Sequence, residues 1–80
     1  MEKFTLINKS RSRIKVFEPF DDSSNNLSII NAILISYGCV LKRSSKPVIK
    51  GSRVESIEDA RNEYKKLLEA GWEKTYRFNS

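Results

Sequence analysis

Arg11, Arg13 and Lys15 stand at every second position of the stretch SRSRIKVFE, with Lys9 two residues earlier. On an extended chain, alternate side chains point the same way, so these cations would line one strip. The chemistry open to such a strip is the holding of anions. A second basic run follows in Lys42, Arg43, Lys46, Lys50 and Arg53, and no acidic residue occurs between Asp22 and Glu55. Phe17 continues the first alternation, while Ser44, Ser45 and Ser52 add neutral donors for phosphate oxygens to the second run. Cations interleaved with an aromatic ring on a sheet surface suit single-stranded nucleic acid, because bases stack on rings while Lys and Arg meet phosphates. The candidate nucleic-acid-binding residues are therefore Lys9, Arg11, Arg13, Lys15, Phe17, Lys42, Arg43, Lys46, Lys50 and Arg53. The expected partner is nucleic acid or another polyanion. The rival reading of the same residues is a solvated sheet face whose lysines discourage edge-to-edge association.

Catalysis finds little to work with. The chain has no histidine, which removes the commonest general base and the commonest metal ligand. Its one cysteine, Cys39, permits no internal disulfide and reads as a small buried hydrophobe rather than a nucleophile. A closed zinc site would need more thiolate or imidazole ligands than exist here. Glycines at 38, 51 and 71 cannot spell a phosphate-binding loop or a dinucleotide fingerprint. The adjacent acids Asp21-Asp22 and Glu58-Asp59 fall before or inside the first turn of predicted helices, where negative charge complements the helix dipole. We expect no enzyme activity, no metal and no cofactor.

The elements that must position the cations follow from periodicity. KFTLINK and SRIKVFE alternate and read as a hairpin over residues 3–8 and 12–18. Phe4 and Leu6 would share a face with Ile14 and Val16 if the turn set that register. Pro19 should stop the second strand, since it has no amide to donate. Leu27, Ile30, Leu34 and Tyr37 fall at helical spacing with Ile33 beside them, which predicts a helix over 24–36 ended by Gly38, against the strand preference of Ile29, Ile30, Ile33 and Ile35. CVLKRSS reads as a short strand and KPVIKGSRVE as an extended pair element or loop.

SIEDARNEYKKLLEAGW carries a start signal in Ser56, an apolar stripe of Ile57, Ala60, Tyr64, Leu67 and Leu68, and a stop at Gly71. Trp72 should fold back on Leu67 or Leu68, and WEKTYRF should continue as a strand. The predicted order is β-β-α-β-β-α-β. The fold class expected from it is α+β, a two-layer sandwich with two helices on one face of an antiparallel sheet. From Ser12 onward that order is ferredoxin-like, with one extra N-terminal strand.

Eighty residues predict a single small domain over 1–80 with a thin core. Net charge is +5, concentrated in the two basic runs. The beginning lacks the apolar core of a signal peptide, and the longest apolar-rich stretch is too short and too interrupted to span a bilayer. With a lone cysteine, this predicts a cytoplasmic protein without a membrane partner. A second functional reading is a protein-interaction or homodimerisation module. It would use Phe17 and Phe20 with the C-terminal aromatic surface of Trp72, Tyr76 and Phe78.

SIEDARNEYKKLLEAGWEK resembles the end of several small uncharacterised proteins of marine cyanobacteria. In these a basic extended segment leads into S-x-E-E-A-x-x-x-[WY]-x-x-L-x-x-x-G-W. Ser56, Ala60, Tyr64, Leu68, Gly71 and Trp72 occupy the matching places, with Glu58-Asp59 for the acidic pair. The likeness covers about a quarter of the chain and implies a protein family of unknown function. The helix is also loosely similar to that of the WGR domain, associated with nucleic-acid-binding proteins. No Trp-Gly-Arg occurs here, so no residue role is carried over from it.

Overall fold

The computed structural model of the protein describes residues 3–20, 32–41 and 46–76. An antiparallel meander of β1 (Phe4–Ile7), β2 (Arg13–Phe20), β3 (Ala32–Cys39) and β4 (Val48–Ser56) comes first. Helix α1 (Ile57–Glu69) then carries the chain back across the sheet. Strand β5 (Glu73–Thr75) pairs antiparallel with β1, giving the strand order β4-β3-β2-β1-β5.

This corrects the expected α+β sandwich with two helices. Among the described residues there is one helix, and the protein is mostly β. The second half of the predicted 24–36 helix belongs to β3, and its first half lies outside the described residues. Competing periods explain the error. Ile33 and Ile35 are buried while Leu34 and Ser36 are only half-buried, an alternation by twos that a β-branched run favours. Gly38 ends no helix. It lies within β3 opposite Ile49, where the β4 backbone passes close by. Of the strand expected of CVLKRSS, Cys39 closes β3, Val40 and Leu41 stand outside any strand, and residues 42–45 lie outside the described residues. KPVIKGSRVE contributes a full strand instead, and Pro19 sits within β2 rather than ending it.

The hairpin formed, but in the other register. Phe4 lies opposite Phe17 and Leu6 opposite Lys15, so Phe4 and Leu6 share a face with Phe17 and Lys15 rather than with Ile14 and Val16. A slip of one residue turns every side chain to the opposite face. The cause is Asn8. Its backbone N–H donates to the Arg13 carbonyl at 3.0 Å, and its side-chain oxygen accepts from the amides of Ser12 and Arg13 at 2.8 and 2.9 Å. Its side-chain nitrogen donates to the Ser10 and Ser12 hydroxyls, at 3.1 Å each. Together these close an even-numbered loop, with Arg11 in the left-handed region at φ 59°. Asn8→Ala should therefore lower stability by about 1–2 kcal/mol, since the Ser12 and Arg13 amides lose their acceptor. Asn8→Asp, which keeps the acceptor oxygen, should lose less. Thermal unfolding followed by circular dichroism checks both.

The last helix starts and stops as its sequence predicts. The Ser56 side chain accepts from the Asp59 amide at 3.1 Å. At the other end Gly71, at φ 95°, lets the Trp72 amide reach the Leu67 carbonyl (3.0 Å) and its own amide reach Leu68 (3.1 Å). Ala60 is buried against Leu6, Phe17, Ile33 and Ile35, with Phe4, Ile57, Tyr64, Leu67 and Trp72 packed around that cluster. Leu68, expected on the inner stripe, is exposed. Phe4 stacks on Phe17 with ring centroids 5.1 Å apart, and the Tyr64 ring meets Phe4 edge-on at 5.3 Å. The core thus fills the space between α1 and one sheet face. Ile7 and Ile14, an opposed pair, are buried on the other face.

Candidate nucleic-acid interface

Helix α1 leaves β4 at one edge of the sheet and delivers the chain to β5 at the other. It starts near the Phe20–Ala32 end of the strands and finishes near the Ile7–Ile14 end. It therefore crosses its sheet face diagonally and leaves a depression on each side. One, of about 460 Å³, is walled by Phe4, Ile57 and Tyr64, with Arg61 and Lys74 at its sides. The Lys74 ammonium lies 4.9 Å from the Phe4 ring centroid.

The other depression is a groove of about 620 Å³ at the hairpin end, and it gathers Arg13, Lys15, Tyr37, Lys50, Arg53 and Trp72. Pairing explains the company. Lys15 lies opposite Tyr37 across β2 and β3, and Arg53 opposite Ile35 across β3 and β4, so Lys15, Tyr37 and Arg53 face α1, while Lys50 stands at the register shift of β4. Tyr37 leans over Gly51: a Cβ there would come within 2.5 Å of the phenol oxygen. The Tyr37 ring is thus seated on bare backbone and remains 42% exposed. Trp72 is half-buried, packed on the core by one side and lining the groove by the other.

Glu63, on the helix, bonds two of the groove's cations. Lys15 Nζ donates to its Oε1 at 2.8 Å and Arg53 Nη2 donates to its Oε2. Arg53 Nε also donates to Glu55 at 2.8 Å. Burial works to raise the pKa of the Glu63 carboxyl, but hydrogen bonds and positive charge from Lys15 and Arg53 outweigh it and hold the group below its ordinary value. Arg53 is in turn raised, chiefly by its hydrogen bond to Glu63. Lys15 Nζ lies 5.9 Å from the centroid of the Trp72 ring. Arg13 and Lys50 have no carboxylate partner among the described residues. The groove thus has more positive than negative charge on its walls, with rings beside the charge.

No protein-family model, curated protein or solved structure matches this chain.

Of the residues singled out by sequence, Arg13, Lys15, Lys50 and Arg53 come together, although the two basic runs are far apart along the chain. Lys9 and Arg11 lie exposed in the hairpin loop, and the Lys9 stem passes close to Gly71. Lys46 is exposed just before β4, and Lys42 and Arg43 lie outside the described residues. Phe17 needs correction: it is 1% exposed in the middle of the core and presents no ring to a ligand. The register shift accounts for this, since it turned the Arg13, Lys15, Phe17 strip toward the helix. Cys39, expected to be buried, is half-buried and lines the groove. The aromatic docking set is divided. Phe17 is core, Trp72 walls the groove, Tyr76 is 75% exposed beyond β5, and Phe78 lies outside the described residues.

Sequence reading missed Tyr37 and Trp72 as groove residues and Glu63 as the partner of two groove cations. The alternation Ile33, Ile35, Tyr37 was a signal for the first. Glu63 carried none, because its role depends on where a diagonal helix lays it down. Trp72 reads from the sequence as a helix terminator and as part of an aromatic docking surface, and neither role places it beside the basic strip.

Proposed function

We propose that this protein is a non-catalytic module that binds single-stranded nucleic acid along the groove between α1 and the β2–β3–β4 side of the sheet. The observation that carries the reading is the convergence of Arg13, Lys15, Lys50 and Arg53, from two distant segments, beside the Tyr37 and Trp72 rings. Phosphates would be met by Arg13 and Lys50, which have no carboxylate to satisfy among the described residues, and bases would stack on the two rings. Phe17 supports this only from beneath, as core. Among the described residues no helix is long and apolar enough to cross a membrane. A reducing compartment, the cytoplasm, is the location we assign on the strength of the single cysteine.

The test is fluorescence anisotropy with a labelled oligo-dT across a salt series. Binding should weaken with salt with a log–log slope of about −0.7 per phosphate neutralised. The double variant Arg13→Glu/Lys50→Glu should lose about tenfold or more in affinity while keeping the circular dichroism of the parent. Lys15 is left alone in this design, because a carboxylate at that position would face Glu63 and unsettle the fold. Salt-independent binding, or a double variant that binds as the parent does, would reject the groove. Self-association of the free protein at twice the 9.3 kDa chain mass would favour the docking reading instead.

A further inference from the structure

We infer that Glu63 holds, in the free protein, the place that a backbone phosphate of the bound strand takes, so that the helix supplies its own competitor for the groove. The inference rests on the nucleic-acid reading and specifies how the ligand is recognised. Lys15 and Arg53 converge from β2 and β4 on one carboxylate, each on a different oxygen. A phosphodiester presents the same acceptors: two non-bridging oxygens that share one negative charge. The charge-assisted bonds that now hold Glu63 are the kind that would hold it.

Surroundings fit a nucleotide better than a bare ion. Trp72 sits beside Lys15, and Tyr37 lies directly across the strand pair from it, so a phosphate in this place would have an aromatic face at hand for its base. The Glu63 side chain is 19% exposed and engages both cations, so an anion that takes up Lys15 and Arg53 together must displace it. Arg13 and Lys50, on the same walls, have no carboxylate partner among the described residues. A single small anion therefore has to evict Glu63 with no other gain. A strand can attach first at Arg13 and Lys50 and then exchange one phosphate for the carboxylate. The arrangement selects for polyanions and against free phosphate or chloride.

Glu63→Gln removes the competing charge with little change of shape. The variant should bind labelled oligo-dT about tenfold more tightly than the parent at the same salt, since two cations become available to phosphates. At the same time its melting temperature should fall, because Glu63 no longer pairs with Lys15 and Arg53. Opposite signs for affinity and stability are what a merely structural glutamate would not give. If the parent binds and Glu63→Gln binds equally or more weakly, the competitor role is rejected and the nucleic-acid reading stands. If neither protein binds, both are rejected. Binding by the variant alone would show that the carboxylate closes the groove.

Discussion

Gly38→Ala should lower the melting temperature by roughly 12–24 °C, from about 3 kcal/mol of overpacking and 4–8 °C per kcal/mol for a domain of this size. Gly38 stands at the register shift between β3 and β4, opposite Ile49. A Cβ there would overlap the Val48 carbonyl oxygen and lie 2.9 Å from its carbon and 3.0 Å from the Ile49 Cα. These are backbone atoms, so neither strand can yield without losing ladder bonds, and β4 would peel from β3, its one partner strand among the described residues. Gly51→Ala is the instructive contrast. Its added methyl meets the Tyr37 ring, the end of a side chain that can swing away. That substitution should cost about 1 kcal/mol or less in stability, yet it unseats a ring of the groove and should weaken oligo-dT binding. Differential scanning fluorimetry on the two variants decides the order. If Gly51→Ala melts as low as Gly38→Ala, or Gly38→Ala melts with the parent, the close approach of the β3 and β4 backbones is not a constraint.

How much of this was legible in the sequence divides along a physical line. Local chemistry was readable: the Ser56 cap, the Gly71 stop and the alternation of the first two strands each depend on neighbours a few residues away. Features set by parity were not. Whether the hairpin loop held an odd or an even number of residues decided which face Lys15 and Phe17 would join, and the sequence offered no Asn-Gly or Asp-Gly to announce it. Asn8 did the work through its side chain, a bond pattern that composition does not reveal. The misread helix is a conflict between periods. Leu27, Ile30, Leu34 and Tyr37 satisfy one spacing while Ile33, Ile35 and Tyr37 satisfy another, and tertiary pairing with β2 and β4 settled it in favour of the strand. The groove itself could not be read at all, because it exists only where a diagonal helix fails to cover the sheet.

Phe17 separates the two accounts of the basic strip most sharply, and it gives the largest stability effect we expect. Phe17 is 1% exposed, stacked on Phe4 and edge-on to Tyr64. Truncating a buried phenylalanine costs about 3–5 kcal/mol through lost burial and the cavity left behind. The whole stability of a small domain is of order 5 kcal/mol, so Phe17→Ala should be largely unfolded at 37 °C. Loss of binding in that variant would say nothing about stacking. Phe17→Leu keeps most of the volume, and it should cost about 1–2 kcal/mol and remain folded at 25 °C. Had the strip faced outward as the alternation suggested, Phe17→Leu would remove a stacking platform and weaken oligo-dT binding by about 1–3 kcal/mol with little change in melting temperature. With the ring inside the core, the signs reverse: melting temperature drops and affinity measured on the folded protein is unchanged. Trp72→Leu is the complementary case, since that ring borders both the core and the groove and should lose on both counts. Anisotropy and thermal unfolding on these variants therefore test, together, which way the hairpin turned.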